Sequence, residues 1–145
     1  MKLSTKGRYG SRLMLDLALH NNNGHVLLKD IAKRQEISEK YLGQLIRPLI
    51  AAGLVKSTRG AHGGYHLAKS PKLITLKDII QTLEGSMAIV GCIDAPKECA
   101  RMKSCLTREI WKEITDKVTE ILENITLEDM VYRHNKDYSN LVYNI

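Results

Sequence analysis

Three cysteines, Cys92, Cys99 and Cys105, are the only thiols in the 145-residue chain, and all lie within fourteen residues in the pattern Cys-x6-Cys-x5-Cys. Thiolates are soft ligands, suited to zinc or to an iron–sulfur centre. Zinc ribbons present cysteines in Cys-x2-Cys pairs, and no such pair occurs here. Gly91 and Pro96 make the segment flexible, and Lys97, Arg101, Lys103 and Arg108 surround it with positive charge that favours thiolates. Cys105 falls at the start of a predicted helix, where the dipole also favours a negative ligand. Spacing alone leaves two readings open: a thiolate-ligated iron–sulfur centre, or three independent free thiols. An odd number of cysteines argues against a structural disulfide framework.

The second chemical signal is basic charge. Residues 1–72 hold 13 Lys/Arg against 4 Asp/Glu, whereas residues 73–145 hold 9 against 12. A basic half beside an acidic half suggests that the former meets a polyanion, the alternative being a solvated surface with no partner. A helix predicted after Ser38 offers Ser38, Glu39, Lys40, Tyr41, Gln44 and Arg47 as outward positions. Gln44 can pair bidentately with adenine, Arg47 can bind phosphate or guanine, and the hydroxyls of Ser38 and Tyr41 can reach phosphate. Gly43 presents no side chain there. Arg59 precedes a turn containing Gly60, Gly63 and Gly64, the placement of a minor-groove arginine. The glycines let the backbone approach a sugar-phosphate chain closely, and Lys2 and Lys56 add phosphate contacts. His62 and His66 are read as residues of this hairpin and not as catalytic groups.

The elements that must position these residues follow from periodicity. Ser4 or Thr5 caps a first helix to about His20, stopped by Asn21-Asn22-Asn23-Gly24. Lys29–Gln35 and Glu39 to about Ala52 form two helices joined by a tight turn, with Ser38 as N-cap of the second. Leu42, Leu45, Ile46, Leu49 and Ile50 form its buried stripe, and Gly53 ends it. Strands at Leu54–Ser57 and Tyr65–Leu67 flank the glycine turn. Thr75-Leu-Lys-Asp78 is a capping-box pattern opening a helix from Leu76 to about Glu84. Met87–Lys103 reads as irregular. A long amphipathic helix then runs from about Cys105 to Asn124, with Leu106, Ile110, Trp111, Ile114, Val118, Ile121, Leu122 and Ile125 at steps of three and four. Thr126-Leu-Glu-Asp129 restarts a short helix, and the polar tail after Tyr132 is expected to be poorly ordered.

Helix, helix, helix, hairpin is the winged-helix order. The expected fold is mostly α with a small β-hairpin wing, a winged helix-turn-helix plus a long C-terminal dimerisation helix. Residues 1–72 are the DNA-binding domain, 73–103 the linker helix and cysteine loop, 104–132 the dimerisation helix region, and 133–145 a flexible tail. Phe is absent and Trp occurs once, so aliphatic side chains do most of the packing. No apolar run approaches the roughly 20 residues of a membrane span, and the N-terminal residues lack the apolar stretch of a signal peptide. The chain is expected to be cytoplasmic and away from membranes. No phosphate-binding glycine loop, nucleophile elbow or HExxH is present, so an enzyme is not expected.

Several stretches together resemble the IscR-type winged-helix regulators, which sense iron–sulfur status and whose sister branches sense nitric oxide or iron. They are Met1–Gly10, the Ile37-Ser38…Tyr41-Leu42…Gln44-Leu45 helix, the Arg59-Gly60…Gly63-Gly64-Tyr65 wing, the three-cysteine loop, and Cys105-Leu-Thr…Trp111…Asn124-Ile-Thr-Leu127. The resemblance covers nearly the whole chain. It implies a homodimer on a palindromic or near-palindromic double-stranded DNA operator, a two-iron two-sulfur cluster held by Cys92, Cys99 and Cys105, control of cluster-assembly genes, and the cluster-assembly machinery as a further partner. It also implies a histidine as fourth ligand three residues after the third cysteine, where this chain has Arg108, which cannot ligate iron. The nitric-oxide branch borrows an acidic residue from the partner's first helix, where this chain has Arg8. Glu109, one turn after Cys105, is the candidate in its place, with Asp94, Glu98, a backbone atom or water as alternatives. Family members often carry an acidic residue where this chain has Gly43, whose absence would relax operator discrimination. Competing readings are a nitric-oxide or redox sensor, a cluster-free thiol-sensing regulator, and an electron-transfer or cluster-carrier protein, which leaves the basic helix and wing without a role.

Overall fold

The computed structural model describes residues 2–144. Helix α1 (Thr5–Leu19) is followed by the helix pair α2 (Leu28–Gln35) and α3 (Glu39–Ala51), then by the strands β1 (Val55–Thr58) and β2 (Gly64–Leu67). Helix α4 (Leu76–Glu84), the one-turn α5 (Gly91–Asp94), the long α6 (Leu106–Glu123) and α7 (Leu127–Tyr143) complete the chain. The expected winged helix-turn-helix is therefore present. The antiparallel wing pairs Val55 with Leu67 and Thr58 with Gly64. Val26 joins it through two backbone hydrogen bonds to Tyr65, each 2.8 Å, so a third strand position stitches the wing to the α1–α2 connection.

The core forms where the apolar faces of these elements meet. Leu13, Met14 and Leu17 of α1, Ile31 of α2, Leu42, Ile46 and Leu49 of α3, Val55 of β1 and Ile79 of α4 are fully buried, and Leu127 of α7 joins them. Ile50, expected in the buried stripe, is only half-buried. One charged side chain sits in this apolar setting. Asp16, 1% exposed, accepts two hydrogen bonds from Arg34 (3.0 and 2.7 Å) and one from Gln35 (3.0 Å). Burial alone would raise the Asp16 pKa, but the bonds from Arg34 and Gln35 and the charges of Arg34 and His20 outweigh it and hold it below its ordinary value. The carboxylate thereby locks α2 onto α1.

Gly7 and Gly10, costly in a helix by about 1 kcal/mol each, have a packing reason. A Cβ at Gly7 would lie 2.5 Å from Glu84 Oε1, and one at Gly10 would lie 1.9 Å from Leu83 Cδ1. Their absence lets α4 press against α1. Glu84 then caps the start of α1, accepting from the Ser4 amide (3.0 Å), the Ser4 hydroxyl and the Gly7 amide (3.1 Å). Both capping boxes form as expected, Thr75 with Asp78 and Thr126 with Asp129. They stand side by side, bridged by Leu76 N to Ile125 O (2.7 Å) and Leu127 N to Ile74 O (2.9 Å).

Two expectations change. Segment 87–103 is not wholly irregular: it holds α5 and a 3-10 turn at Pro96–Glu98, because Gly91–Asp94 closes one turn, with the Ala95 amide bonded to the Gly91 carbonyl, before Pro96. The segment expected as a flexible tail from residue 133 is helical as far as Tyr143, since nothing after the Thr126 cap breaks the helix; Ile145 lies outside the described residues. On α6 only Thr115 is buried, while Leu106 (70% exposed), Ile110 (43%), Trp111 (40%) and Ile121 (61%) lie open along it.

Replacing Asp16 with Ala removes the buried carboxylate that Arg34 and Gln35 hold and should lower stability in urea at pH 7 by about 1–3 kcal/mol. The depressed pKa means this contribution is present above the ordinary Asp value of 3.8 and fades as pH falls through the folded-state value. The two stability curves should therefore converge in strong acid; a constant gap from pH 7 to pH 2 would contradict the assignment.

Candidate functional site

Helix α3 begins at Ser38, whose Oγ accepts from the Tyr41 amide (3.1 Å) and still has its hydroxyl proton to donate. Ser38, Glu39, Lys40, Gln44 and Arg47 are exposed, as expected of a face that reads DNA. Leu28, Glu39, Lys40, Gln44 and Arg47 line a shallow depression in which Gly43 has no side chain. Tyr41 is only half-available: it packs on the core and meets Tyr9 edge-on, with centroids 5.9 Å apart at 82°. The guanidinium groups of Arg8 and Arg12 lie over the Tyr9 ring, at 5.7 and 5.4 Å. The basic face thus extends from α3 onto α1, an extension the sequence did not reveal. Among the described residues Lys40, Arg47, Lys56 and Arg59 form no ion pair, so their charge is uncompensated within the chain.

In the wing, Lys56 and Arg59 are exposed. The glycines there have reasons inside the protein. A Cβ at Gly63 would lie 2.1 Å from Thr58 O, and one at Gly64 (φ +146°) would lie 2.7 Å from Val26 O, so both permit the hairpin itself to close. Gly60 (φ +108°) has open space around it and supplies conformation only. Lys2 lies apart from these residues, lining a groove with Ile80, Glu84, Met87 and Val118 where α4 meets α6.

The cysteine segment hangs between α4 and α6. Cys92 sits in α5, Cys99 follows the 3-10 turn and Cys105 is the N-cap of α6. All three thiols are free and their residues half-buried. The Cys105 pKa is lowered, first by the Thr107 hydroxyl 3.3 Å from Sγ, then by the Arg108 and Thr107 amides and the charge of Arg101, against a smaller desolvation effect. Arg108 donates from Nε to the Cys92 carbonyl (3.3 Å), tying two parts of the segment together. Asp94 accepts from the Ser86 hydroxyl, and the Ile89 amide donates to Thr115 Oγ1 of α6 (3.3 Å).

The donors fit an iron–sulfur cluster in kind: three free thiols, one of them with a depressed pKa, on one segment. They are not gathered. Among the described residues no group of three His, Cys, Asp or Glu side chains is close enough to hold a metal ion, and Glu109, exposed on α6, joins no such group. Neither α5 nor the 3-10 turn has a buried residue, so bringing the sulfurs together would rearrange a surface segment and leave the core intact.

The profile of the Rrf2 family, described as iron-dependent transcriptional regulator, matches residues 3–133. The transcriptional regulator CymR of Bacillus subtilis is 47% identical over 130 residues, 90% of this chain and 89% of that one. IscR of Pectobacterium atrosepticum is 40% identical over 141 residues, 97% of this chain and 84% of that one. Two solved structures each give a TM-score of 0.77 at 45% identity over 92% of this chain: T. potens IscR, with 88% of that chain covered, and CymR, described as the global cysteine regulator of B. subtilis, with 98% covered.

Removing a phosphate-contacting charge should weaken DNA binding at every sequence, whereas removing a base reader should change preference. Lys56→Ala is therefore expected to reduce the slope of log K against log salt by about 1. Gln44→Ala should leave that slope intact and flatten discrimination at one base pair by about 1–3 kcal/mol. Arg59→Ala should weaken operator binding; gel shifts across a salt series check all three, and unchanged affinity for Arg59→Ala would remove it from the interface.

Proposed function

The chain belongs to the Rrf2 family of transcriptional regulators, and from that premise we propose that it is a homodimeric operator-binding regulator that senses iron–sulfur status through a two-iron two-sulfur cluster held by Cys92, Cys99 and Cys105. The observation that carries the reading is the placement of three free thiols on one lightly packed segment between α4 and α6. When bound, the cluster supplies an iron- and redox-dependent tie between those thiolates. Cys105 contributes a thiol whose pKa is lowered first by the Thr107 hydroxyl and then by the amides at the start of α6. Glu109 is the candidate fourth ligand, a hard carboxylate beside the position where Arg108 replaces the family's histidine. The regulator acts in the cytoplasm on cluster-assembly genes, as its resemblance to the IscR type implies.

The chain's own residues supply the route from segment to DNA. Segment 86–104 continues directly from α4, and Glu84 at the end of α4 caps α1. Helix α1 carries α2 through Asp16 and Arg34, and packs against α3 and the wing. Order in the segment therefore biases the elements that carry Gln44, Arg47 and Arg59. Dimerisation is supported by the open row Leu106, Ile110, Trp111 and Ile121 on α6; covering each such side chain stabilises by about 1.5–3 kcal/mol when burial is complete. A second copy brings a second reading head, which suits an operator with two half-sites.

One observation favours a second reading, a cluster-free regulator that responds through its thiols. The sulfurs are not gathered, and the CymR relative is as similar as the IscR relatives. Anaerobic reconstitution with iron and sulfide separates the two. The cluster reading expects visible charge-transfer bands and about two irons and two sulfides per chain, lost in each single Cys→Ser variant while the dimer persists. It also expects DNA affinity to change with loading, and Glu109→Ala to shorten cluster lifetime. A colourless protein with three intact thiols would support the second reading.

The dimer is checked separately. Trp111→Asp is expected to yield monomers in light scattering and, through lost bivalency, to weaken operator binding about 100-fold or more. An unchanged dimer would remove α6 from the interface.

A further inference from the structure

The base of the wing holds a pair of histidines that the reading above leaves unused. Val26 and Tyr65 exchange both backbone hydrogen bonds, so the next residues along, His25 and His66, stand directly opposite each other in the closely spaced non-hydrogen-bonded position. Their Nδ1 atoms are 3.1 Å apart, with ring centroids at 4.8 Å and planes at 61°. Two nitrogens about 2.0–2.1 Å from one metal ion are separated by about 2.8 Å at a right angle and about 3.3 Å at the tetrahedral angle. The observed spacing falls between these limits. It also suits an N–H···N hydrogen bond, in which a single proton occupies the place an ion would take.

We propose that His25 and His66 together bind one divalent late first-row transition-metal ion, of the imidazole-preferring class copper(II), nickel(II) and zinc(II), at the root of the wing. His25 is exposed and His66 half-buried, so the ion can arrive from solvent. Both nitrogens must be unprotonated to ligate. Burial, His25 and the Lys56 ammonium opposite on β1 all disfavour the charged form of His66. Among the described residues no third His, Cys, Asp or Glu joins the pair, so water completes the coordination. The bound ion clips the Val26 strand position to β2 and adds positive charge beside Lys56 on the wing. The site does not depend on how the cysteine segment is read.

Copper(II) is the most sensitive probe of such a site, because it heads the affinity order for nitrogen ligands. The full chain carrying Cys92→Ser, Cys99→Ser and Cys105→Ser, which removes competing thiolates, is titrated with copper(II) and followed by electron paramagnetic resonance. The expected result is one ion per chain with two equatorial imidazole nitrogens. Because the second nitrogen binds at high effective concentration, His25→Gln and His66→Gln should each weaken binding about tenfold or more, while His62→Gln leaves it unchanged. Circular dichroism confirms the fold of each variant. Absence of stoichiometric binding, unchanged affinity in both the His25 and His66 variants, or an equal loss in His62→Gln would overturn the proposal.

Discussion

The close approach of α1 and α4 is the constraint on which the rest of the molecule depends. Every helix start exposes backbone amides that need acceptors. At the start of α1, Ser4 takes the amides of Lys6 and Gly7, and Glu84 takes those of Ser4 and Gly7. A carboxylate there also meets the positive end of the helix dipole. A Cβ at position 7 or 10 would displace the Glu84 carboxylate or the Leu83 side chain from this contact. The end of α4 is thereby registered to the first turn of the helix that supports the reading head. A charge-assisted contact of this kind contributes about 1.5–3 kcal/mol, the same order as the roughly 1–3 kcal/mol that couples two sites in an allosteric protein. The start of the cysteine segment is thus joined, through α4, to the helix that packs on α3 and the wing.

Legibility in the sequence followed the range of the interactions. Helix caps and the hairpin turn, which are local, are legible. Ser4, Ser38, Thr75 and Thr126 cap the helices expected of them, and the Gly-rich turn lies between two paired strands. Interactions between distant residues were not visible. Glu84 meets Ser4 across eighty positions, and His25 meets His66 across forty-one. Two hints were present. Glycines at positions 7 and 10 of an otherwise good helix signal a close neighbour, and Asp16 interrupts a stripe made by Leu13, Met14 and Leu17. Polar composition after Tyr132 hides the length of α7, whereas the absence of any Pro or Gly after the Thr126 cap lets the helix run on to Tyr143.

The wing shows why residue type alone does not assign a role. Gly63 and Gly64 were expected to clear space for a sugar-phosphate chain, yet the hairpin and the Val26 strand position already require their smallness. Their presence is compatible with DNA binding without testifying to it. The uncompensated charges of Lys40, Arg47, Lys56 and Arg59 carry more weight. A face of unpaired cations is one that a polyanion would neutralise.

Arg108 ties the cysteine segment together, since its Nε donates to the Cys92 carbonyl while its backbone amide favours the Cys105 thiolate. The segment is thus partly ordered by its own residues before anything binds to the sulfurs. Pre-ordering narrows the difference between its empty and occupied states, because part of the conformational entropy has already been surrendered. A ligand can shift an equilibrium only by its differential affinity for the two states. With a smaller gap to close, ordering the rest of the segment costs less conformational entropy.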